Sequence, residues 1–202
     1  MFERRSALAG KIAAGGRDGV RGQRTLRISE VRGWGLAQIA VFGGREVEFG
    51  HALRPLVDAD LPSAVGMQIA GKRAKIFRTT QNQYWVVTTD APLMAELALG
   101  VPPAVGTVTA LSHSRVRLAV EGPAVRTLLA KGIAIDLHST VFRVGHFAQT
   151  GLQHTGILIE RSGADRYELF LPRTFAASIW DWLVDAALPL GYDVRVQEDH
   201  RT

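Results

Sequence analysis

The chain has 202 residues, of which 47% are hydrophobic, enough for one large domain or two small ones with a packed core. It contains no cysteine, which excludes disulfides, thiolate metal sites and cysteine nucleophiles and fits a reducing, cytoplasmic location. No apolar run approaches the roughly 18 residues of a membrane span, and Lys11 interrupts the apolar stretch that starts at Ala7, so neither a membrane anchor nor a signal peptide is expected.

The net charge of +5 is concentrated at the N-terminus. Residues 1–32 contain eight basic and three acidic side chains, which accounts for the whole net charge, and 15–22 are rich in glycine. This composition predicts a basic arm at 1–32 ahead of a folded domain at 33–202. Such an arm can neutralise nucleic-acid phosphates, but it has no aromatic residue between Phe2 and Trp34 for base stacking. A solvated arm, or one docked on an acidic partner, is the preferred interpretation, and no nucleic-acid partner is expected.

The first half of the domain shows alternating strand and helix patterns. Asp90 is placed to cap a helix that has Pro92 in its first turn and ends at Gly100. The elements predicted before that helix are a strand at 33–43, a short helix at 51–57, and strands at 75–79 and 84–89.

The second half repeats this plan more clearly. Residues 114–121 alternate between apolar and polar side chains, the period-2 signature of a half-buried strand. Gly122 and Pro123 then open a short helix that ends at Gly132, and two strands follow. The alternation places Val116, Leu118 and Val120 on one side of the strand, and Arg115, Arg117 and Glu121 on the other.

The last helix begins after Pro172, with Thr174 as the predicted N-cap. Its apolar residues cover more than one face, leaving a narrow polar wedge. The first stripe is Phe175, Ile179, Trp182, Leu183 and Ala186, the second is Ala177, Trp180, Val184 and Leu188, and the wedge is Ser178, Asp181 and Asp185.

A helix that is apolar nearly all round is typically buried on two sides. Trp180, Val184 and Leu188 are therefore a candidate interface with another protein, together with the basic arm. On this interpretation Trp180→Ala leaves the isolated chain folded but impairs assembly. The alternative, that Trp180 packs under the N-terminal half of the same chain, predicts that the isolated variant unfolds instead.

The element order indicates an α+β fold. Two successive β-α-β-β-α units predict largely antiparallel sheets with helices packed on them. The expected seam between the two halves lies at 101–106, which contains two prolines.

The sequence offers no catalytic constellation. Gly33 and Gly35 precede Gln38 where a dinucleotide fingerprint has its third glycine, and the six histidines show no metal-ligand spacing. Ser112 and His113, with Asp136 further on, suggest a triad, but adjacent strand residues point to opposite faces. No catalytic, cofactor-binding or metal-ligating residue is therefore predicted.

Several segments together resemble the gamma subunit family of heterotetrameric sarcosine oxidase. The resemblance extends over nearly the whole chain and is most specific in the second half, although Ala7 and Thr174 stand where the family often has Pro and Ser. The segments are Arg5-Ser-Ala-Leu8, Leu111-Ser-His-Ser114, Leu118-Ala-Val-Glu-Gly-Pro-Ala124, Leu128-Leu-Ala-Lys-Gly132, Ile135-Asp-Leu137, Phe147-Ala-Gln-Thr150, Tyr167-Glu-Leu-Phe-Leu-Pro-Arg173 and Ala176-Ala-Ser-Ile-Trp-Asp-Trp-Leu-Val-Asp-Ala186.

The resemblance implies a subunit without its own active site. The complex it implies oxidises the methyl group of sarcosine to give glycine and hydrogen peroxide, and forms methylene-tetrahydrofolate when tetrahydrofolate is present. FAD, FMN, NAD and tetrahydrofolate are expected on the partner alpha, beta and delta subunits, and the alpha subunit is the expected direct contact.

That family is similar in fold to the folate-binding domain of the glycine-cleavage aminomethyltransferase. The aminomethyltransferase has a Tyr-Thr-Gly-Glu stretch that contributes to its folate site, and the corresponding residues 161–168 of this chain lack it. The resemblance therefore implies a retained framework without its ligand-binding groups. The alternative is a stand-alone folate-binding or aminomethyltransferase-like one-carbon protein.

Overall fold

The structure is a computed structural model that describes residues 6–196. Arg4 and Arg5 of the basic segment lie outside the described residues. Arg5 is also the first residue of the segments that resemble the gamma subunit family. Within 6–196 the helices are α1 (Glu46–Val57), α2 (Ala91–Gly100), α3 (Val125–Leu129) and α4 (Ala176–Ala187). The strands of the same region are β1 (Gly15–Arg17), β2 (Leu26–Val31), β3 (Gly35–Val41), β4 (Gln68–Ala70), β5 (Lys75–Thr80), β6 (Gln83–Thr88), β7 (Gly106–Ala110), β8 (Arg115–Glu121), β9 (Phe147–Leu152), β10 (Thr155–Gly163), β11 (Arg166–Pro172) and β12 (Tyr192–Arg195).

The α+β fold is confirmed. One sheet has seven strands in the order β1-β12-β2-β8-β11-β10-β9, and the other has five in the order β4-β5-β6-β3-β7. Neighbouring strands are antiparallel except β12 and β2, which are parallel. Three strands lie between the two helices of each half where two are predicted: β4, β5 and β6 between α1 and α2, and β9, β10 and β11 between α3 and α4.

The chain divides into two compact units at positions that differ from the division expected from sequence. The first unit, unit 1, combines the residues up to Arg32 with those from His113 onward, and the second, unit 2, is Gly33–Ser112. The boundary lies at Ser112 and not at 101–106, because Val101 and Val105 belong to the core of unit 2.

The basic N-terminal segment is part of unit 1 and not a separate arm. Its strand β2 pairs with β8 on one side and with β12 on the other. Alternation buries Leu26 and Ile28, and Leu8 is also buried in the same core. The alternation of apolar Leu26 and Ile28 with polar Arg27 and Ser29 is a short strand signal in the sequence, within a segment whose composition favours a solvated arm.

The core of unit 1 lies between one face of the seven-stranded sheet and the helices α3 and α4. Alternate residues of β8 and β11, such as Val116, Leu118 and Leu169, enter this core. From α4 it receives Ile179 and Leu183, which are almost fully buried.

Helix α4 begins later than predicted. A single 3-10 turn, Arg173–Phe175, precedes it, so the N-cap residue is Phe175 and not Thr174, and no side chain caps the helix. Phe175 was expected in the core but is half exposed, because the turn carries it outside the helical stripe.

The buried face of α4 lies between the two stripes read from the sequence and takes members of each. Its buried residues, at spacings of three and four, form one continuous face. The predicted polar wedge is confirmed as exposed. The buried residues are Ala176, Ile179, Trp180, Leu183 and Ala187.

In unit 2, α1 and α2 pack on one face of the five-stranded sheet. Helix α1 starts at Glu46, earlier than the predicted 51–57, and buries Phe49, Leu53 and Val57. Helix α2 contributes Leu93 and Leu97 to the same core.

Asp90 occupies the N-cap position of α2 as predicted, but its side chain does not cap the helix. Its carboxylate instead accepts a hydrogen bond from Arg73 Nε at 2.7 Å. The Arg73 guanidinium also donates to both carboxylate oxygens of Glu96 and to the carbonyl oxygen of Leu56. One arginine thus joins the end of α1 to α2, and Glu96 holds the pKa of Arg73 above its usual value.

Among the described residues, no helix is both long enough and apolar enough to cross a membrane.

The position of β2 makes a testable prediction. Ile28→Ala should lower the free energy of unfolding by about 2–5 kcal/mol, because it leaves a cavity in a packed core. Val20→Ala, at a residue of the same segment that is 87% exposed, is the matched control and should change little. Urea unfolding measures both, and equal small effects would mean that this segment is not part of the core.

Candidate functional site

A polar surface cleft of about 500 Å³ lies in unit 1, beside the turn at 164–165, which is within the segment 161–168 compared above with the folate-binding stretch. It forms where the start of β2, the end of β8, the β10–β11 turn and β12 meet. Its charged lining balances in sign, with three basic and three acidic side chains. These are Arg24, Arg27, Arg166, Glu121, Asp165 and Asp193.

Arg24 binds two carboxylates of its own unit at one end of the cleft. Its Nε donates to Asp18 at 2.7 Å and its Nη1 donates to Asp193 at 2.6 Å. The hydrogen bonds that Arg24 donates to Asp18 and Asp193 raise the pKa of Arg24 above its usual value. This guanidinium is therefore engaged within the fold.

Glu121 is the acidic centre of the cleft. One carboxylate oxygen accepts a hydrogen bond from Arg27 at 2.9 Å and the other accepts one from Arg166 at 3.0 Å. Burial opposes ionisation of this carboxyl, but the two guanidinium groups outweigh it and hold the pKa of Glu121 below its usual value. The basic groups of the cleft are thus bound to carboxylates of the same unit.

The segment compared with the folate-binding stretch is a tight hairpin. Only Ala164 and Asp165 connect β10 to β11. The Asp165 carbonyl oxygen accepts a hydrogen bond from Gly122 N–H at 2.8 Å. Gly122 has a φ of +121°, and a side chain there would overlap the backbone of Thr25, so this approach requires glycine.

The Arg161 side chain is buried and holds backbone carbonyls. Its guanidinium donates to the carbonyl oxygens of Phe142 at 2.8 Å and Ala164 at 2.6 Å. It also lies 5.8 Å from the centre of the Tyr167 ring, within the range of a cation–π interaction. This arginine fixes the hairpin and the loop before β9.

A buried ion pair lies on the second face of the seven-stranded sheet. Arg117 Nε donates to Glu168 Oε2 at 2.5 Å, and the Arg117 guanidinium lies over the Phe170 ring. Sequence alternation separated Arg117 from the apolar side of β8 correctly, but the pattern carries no signal that this second face is also buried. Both charged residues are nevertheless almost fully buried.

The three predicted interface residues differ in exposure. Trp180 is only 4% exposed and belongs to the core of unit 1, so the placement of Trp180 on an interface is corrected. Val184 is half-buried at the rim of that core, and Leu188 is 39% exposed just after the helix. Trp180 points into the core because the face of α4 that packs on the sheet lies between the two predicted stripes, and Trp180 is on that face.

The residues that suggested a triad have local structural roles. The Ser112 hydroxyl accepts a hydrogen bond from Leu36 N–H at 2.9 Å. The Asp136 carboxylate accepts one from His138 N–H at 2.8 Å. Across residues 6–196, no group of three or more histidine or acidic side chains is arranged to bind a metal ion.

Comparison with known proteins identifies the family. A model of the sarcosine oxidase, gamma subunit family matches residues 46–188, more than half of the chain. The chain belongs to this family. Sarcosine oxidase subunit gamma of Corynebacterium sp. (strain U-96) is 30% identical over 191 residues, which cover 91% of this chain and 89% of that protein. The subunit gamma of Arthrobacter sp is 32% identical over 68% of this chain and 69% of that protein.

Solved structures agree with this family and confirm the predicted fold. A chain of heterotetrameric sarcosine oxidase from Corynebacterium sp. U-96 superposes with a TM-score of 0.78 at 25% identity, covering 93% of this chain and 96% of that one. Aminomethyltransferase T of the glycine cleavage system from Bartonella henselae has a TM-score of 0.65 at 17% identity, covering 94% of this chain and 57% of that one. The second likeness extends to the fold alone.

The location of Trp180 reverses the expected effect of its substitution. Trp180→Ala should lower the free energy of unfolding of the isolated chain by about 3–5 kcal/mol, because a large aromatic is lost from a packed core. Ser178→Ala, at an exposed position of the same helix, is the control. Denaturant unfolding of both variants measures the difference. An unchanged unfolding midpoint for Trp180→Ala would contradict the placement of Trp180 in the core.

The cleft predicts a dependence of stability on pH. Because Glu121 has a lowered pKa in the folded chain, its contribution is present above its usual value of 4.5 and is lost as the pH falls through the folded pKa. Glu121→Gln should therefore reduce stability at pH 7 and flatten the loss of stability in acid. Asp165→Asn, at an exposed carboxylate of the same cleft, is the control, and identical pH profiles for wild type and Glu121→Gln would contradict the prediction.

Proposed function

We propose that this chain is the gamma subunit of a heterotetrameric sarcosine oxidase and supports that complex without an active site of its own. The family match over residues 46–188, with a relative that aligns over 91% of the chain, carries the proposal. The complex demethylates sarcosine oxidatively to glycine, with hydrogen peroxide and methylene-tetrahydrofolate as further products. Its location is cytoplasmic, with which the absence of cysteine agrees.

In this proposal the chemistry belongs to the partner subunits. FAD, FMN, NAD and tetrahydrofolate are held by the alpha, beta and delta subunits, and the alpha subunit is in direct contact with this chain. The cleft of unit 1 agrees with a supporting role, because Arg24, Arg27 and Arg166 are bound to carboxylates of the same unit. A ligand anion would have to displace those carboxylates before it could bind them.

The outer side of α4 is the proposed contact with a partner subunit. Val184 and Leu188 are one helical turn apart and follow Ala177 on the same side. Trp180 supports this side from beneath by anchoring α4 to the core. An apolar strip beside the exposed Asp181 is the composition expected of an interface with an apolar centre and a polar rim.

Co-expression of the chain with the other sarcosine oxidase subunits tests the proposal. The chain should purify in a stoichiometric complex that oxidises sarcosine, whereas the isolated chain should neither oxidise sarcosine nor bind tetrahydrofolate at micromolar concentration. Leu188→Lys should weaken assembly, and Val47→Lys, at a residue that is 70% exposed, should not. Micromolar tetrahydrofolate binding by the isolated chain would instead support a stand-alone folate-binding one-carbon protein.

A further inference from the structure

Strand β7 ends the five-stranded sheet and pairs only on its β3 side within the described residues. Beyond its two ends, Leu111 N–H donates to the carbonyl oxygen of Leu36 at 2.8 Å, and Phe42 N–H donates to that of Val105 at 2.9 Å. Both contacts continue the register of the strand pair. They therefore fix which residues of β7 direct their backbone groups toward β3.

Because these backbone groups alternate in direction along a strand, Thr107 and Thr109 face β3. Val108 and Ala110 direct their N–H and C=O groups away from the sheet. Thr107, Thr109 and Ala110 are exposed, so this edge is open to solvent. An exposed edge of this kind is a template for a further strand.

The other sheet edges of the described chain are better protected. Strands β1 and β4 are each three residues long, and Leu152 of β9 forms an isolated antiparallel bridge with Ile133. Strand β7 is five residues long, and its sequence, Gly-Thr-Val-Thr-Ala, contains neither a charged residue nor proline. It therefore lacks the usual features that discourage strand addition.

The two units show where further strands fit. Strands β4-β5-β6-β3 of unit 2 follow the same order and directions as β9-β10-β11-β8 of unit 1. Beyond this shared set, the sheet of unit 1 continues through β2, β12 and β1, whereas that of unit 2 continues only through β7. The position next to β7 thus corresponds to one that is filled by a strand in unit 1.

We propose that the outer edge of β7 binds an extended segment of another sarcosine oxidase subunit as a sixth strand. This inference rests on the proposed function, which supplies the partner. Backbone groups of Val108 and Ala110 would pair with the added strand. The uncharged side chains of Thr107 and Thr109 favour an uncharged, β-branched segment beside them.

Hydrogen exchange of individual amides tests the pairing directly. In the isolated chain, the amides of Thr107 and Thr109 should be protected and those of Val108 and Ala110 should exchange rapidly. In the complex with the other subunits, Val108 and Ala110 should become protected as well. Unchanged rapid exchange of these two amides in the assembled complex would overturn the proposal.

A proline substitution provides a second test. Ala110→Pro removes an outward N–H without removing a hydrogen bond of the sheet itself, and proline is tolerated on an edge strand. It should leave the unfolding midpoint of the isolated chain close to that of Ala110→Val, its matched control, but weaken assembly about tenfold or more. Equal assembly of the two variants would contradict the proposal.

The outcomes separate this inference from the proposed function. If the wild-type chain does not join the other subunits, the proposed function fails and the edge loses its partner. If the chain assembles and oxidises sarcosine but β7 gains no protection, only the edge proposal fails. If the isolated chain self-associates and Ala110→Pro abolishes that association, a second copy occupies the edge and the assignment to another subunit is overturned.

Discussion

Strand β2 joins the two parts of the seven-stranded sheet. It pairs with β8 along one edge and with β12 along the other, so β12 and β1 connect to the remaining strands through it. Its register requires Leu26 and Ile28 to enter the core, because a shift by one residue would place Arg27 there instead. The N-terminal segment and the last strand therefore belong to one structural unit, although most of the chain separates them.

This arrangement also accounts for the basic segment. Three of its positive side chains bind acids supplied by the rest of unit 1: Lys11 pairs with Asp181, Arg24 with Asp193 and Arg27 with Glu121. Exposed pairs of this kind contribute little stability individually, so their main consequence is to engage the basic groups. Part of the positive charge of this segment is thus paired with acids that are far away in the chain, which composition could not indicate.

Local periodicity predicted those elements whose signals are local. The alternation of Val116, Leu118 and Val120 defined β8, and the glycine and proline after it placed α3. For α4 the spacing defined the helix but not its buried arc, because two apolar stripes flanked the arc that packs on the sheet. The burial of Arg117 and Glu168 could likewise not be predicted from the sequence. Alternation along a strand shows which residues share a face of the sheet, but not whether that face is covered.

The charged groups of unit 1 and the outer backbone edge of β7 in unit 2 differ in what a ligand would have to displace. In the cleft, carboxylates hold the guanidinium groups, and within the sheet Arg117 and Glu168 neutralise each other where a lone charge would be costly. Binding a small anion would require breaking such pairs. At β7, by contrast, adding a strand would pair outward backbone groups without breaking a hydrogen bond of the sheet. An added strand would therefore gain hydrogen bonds at β7 without the cost that a small anion meets in the cleft, which makes this edge a surface suited to another polypeptide.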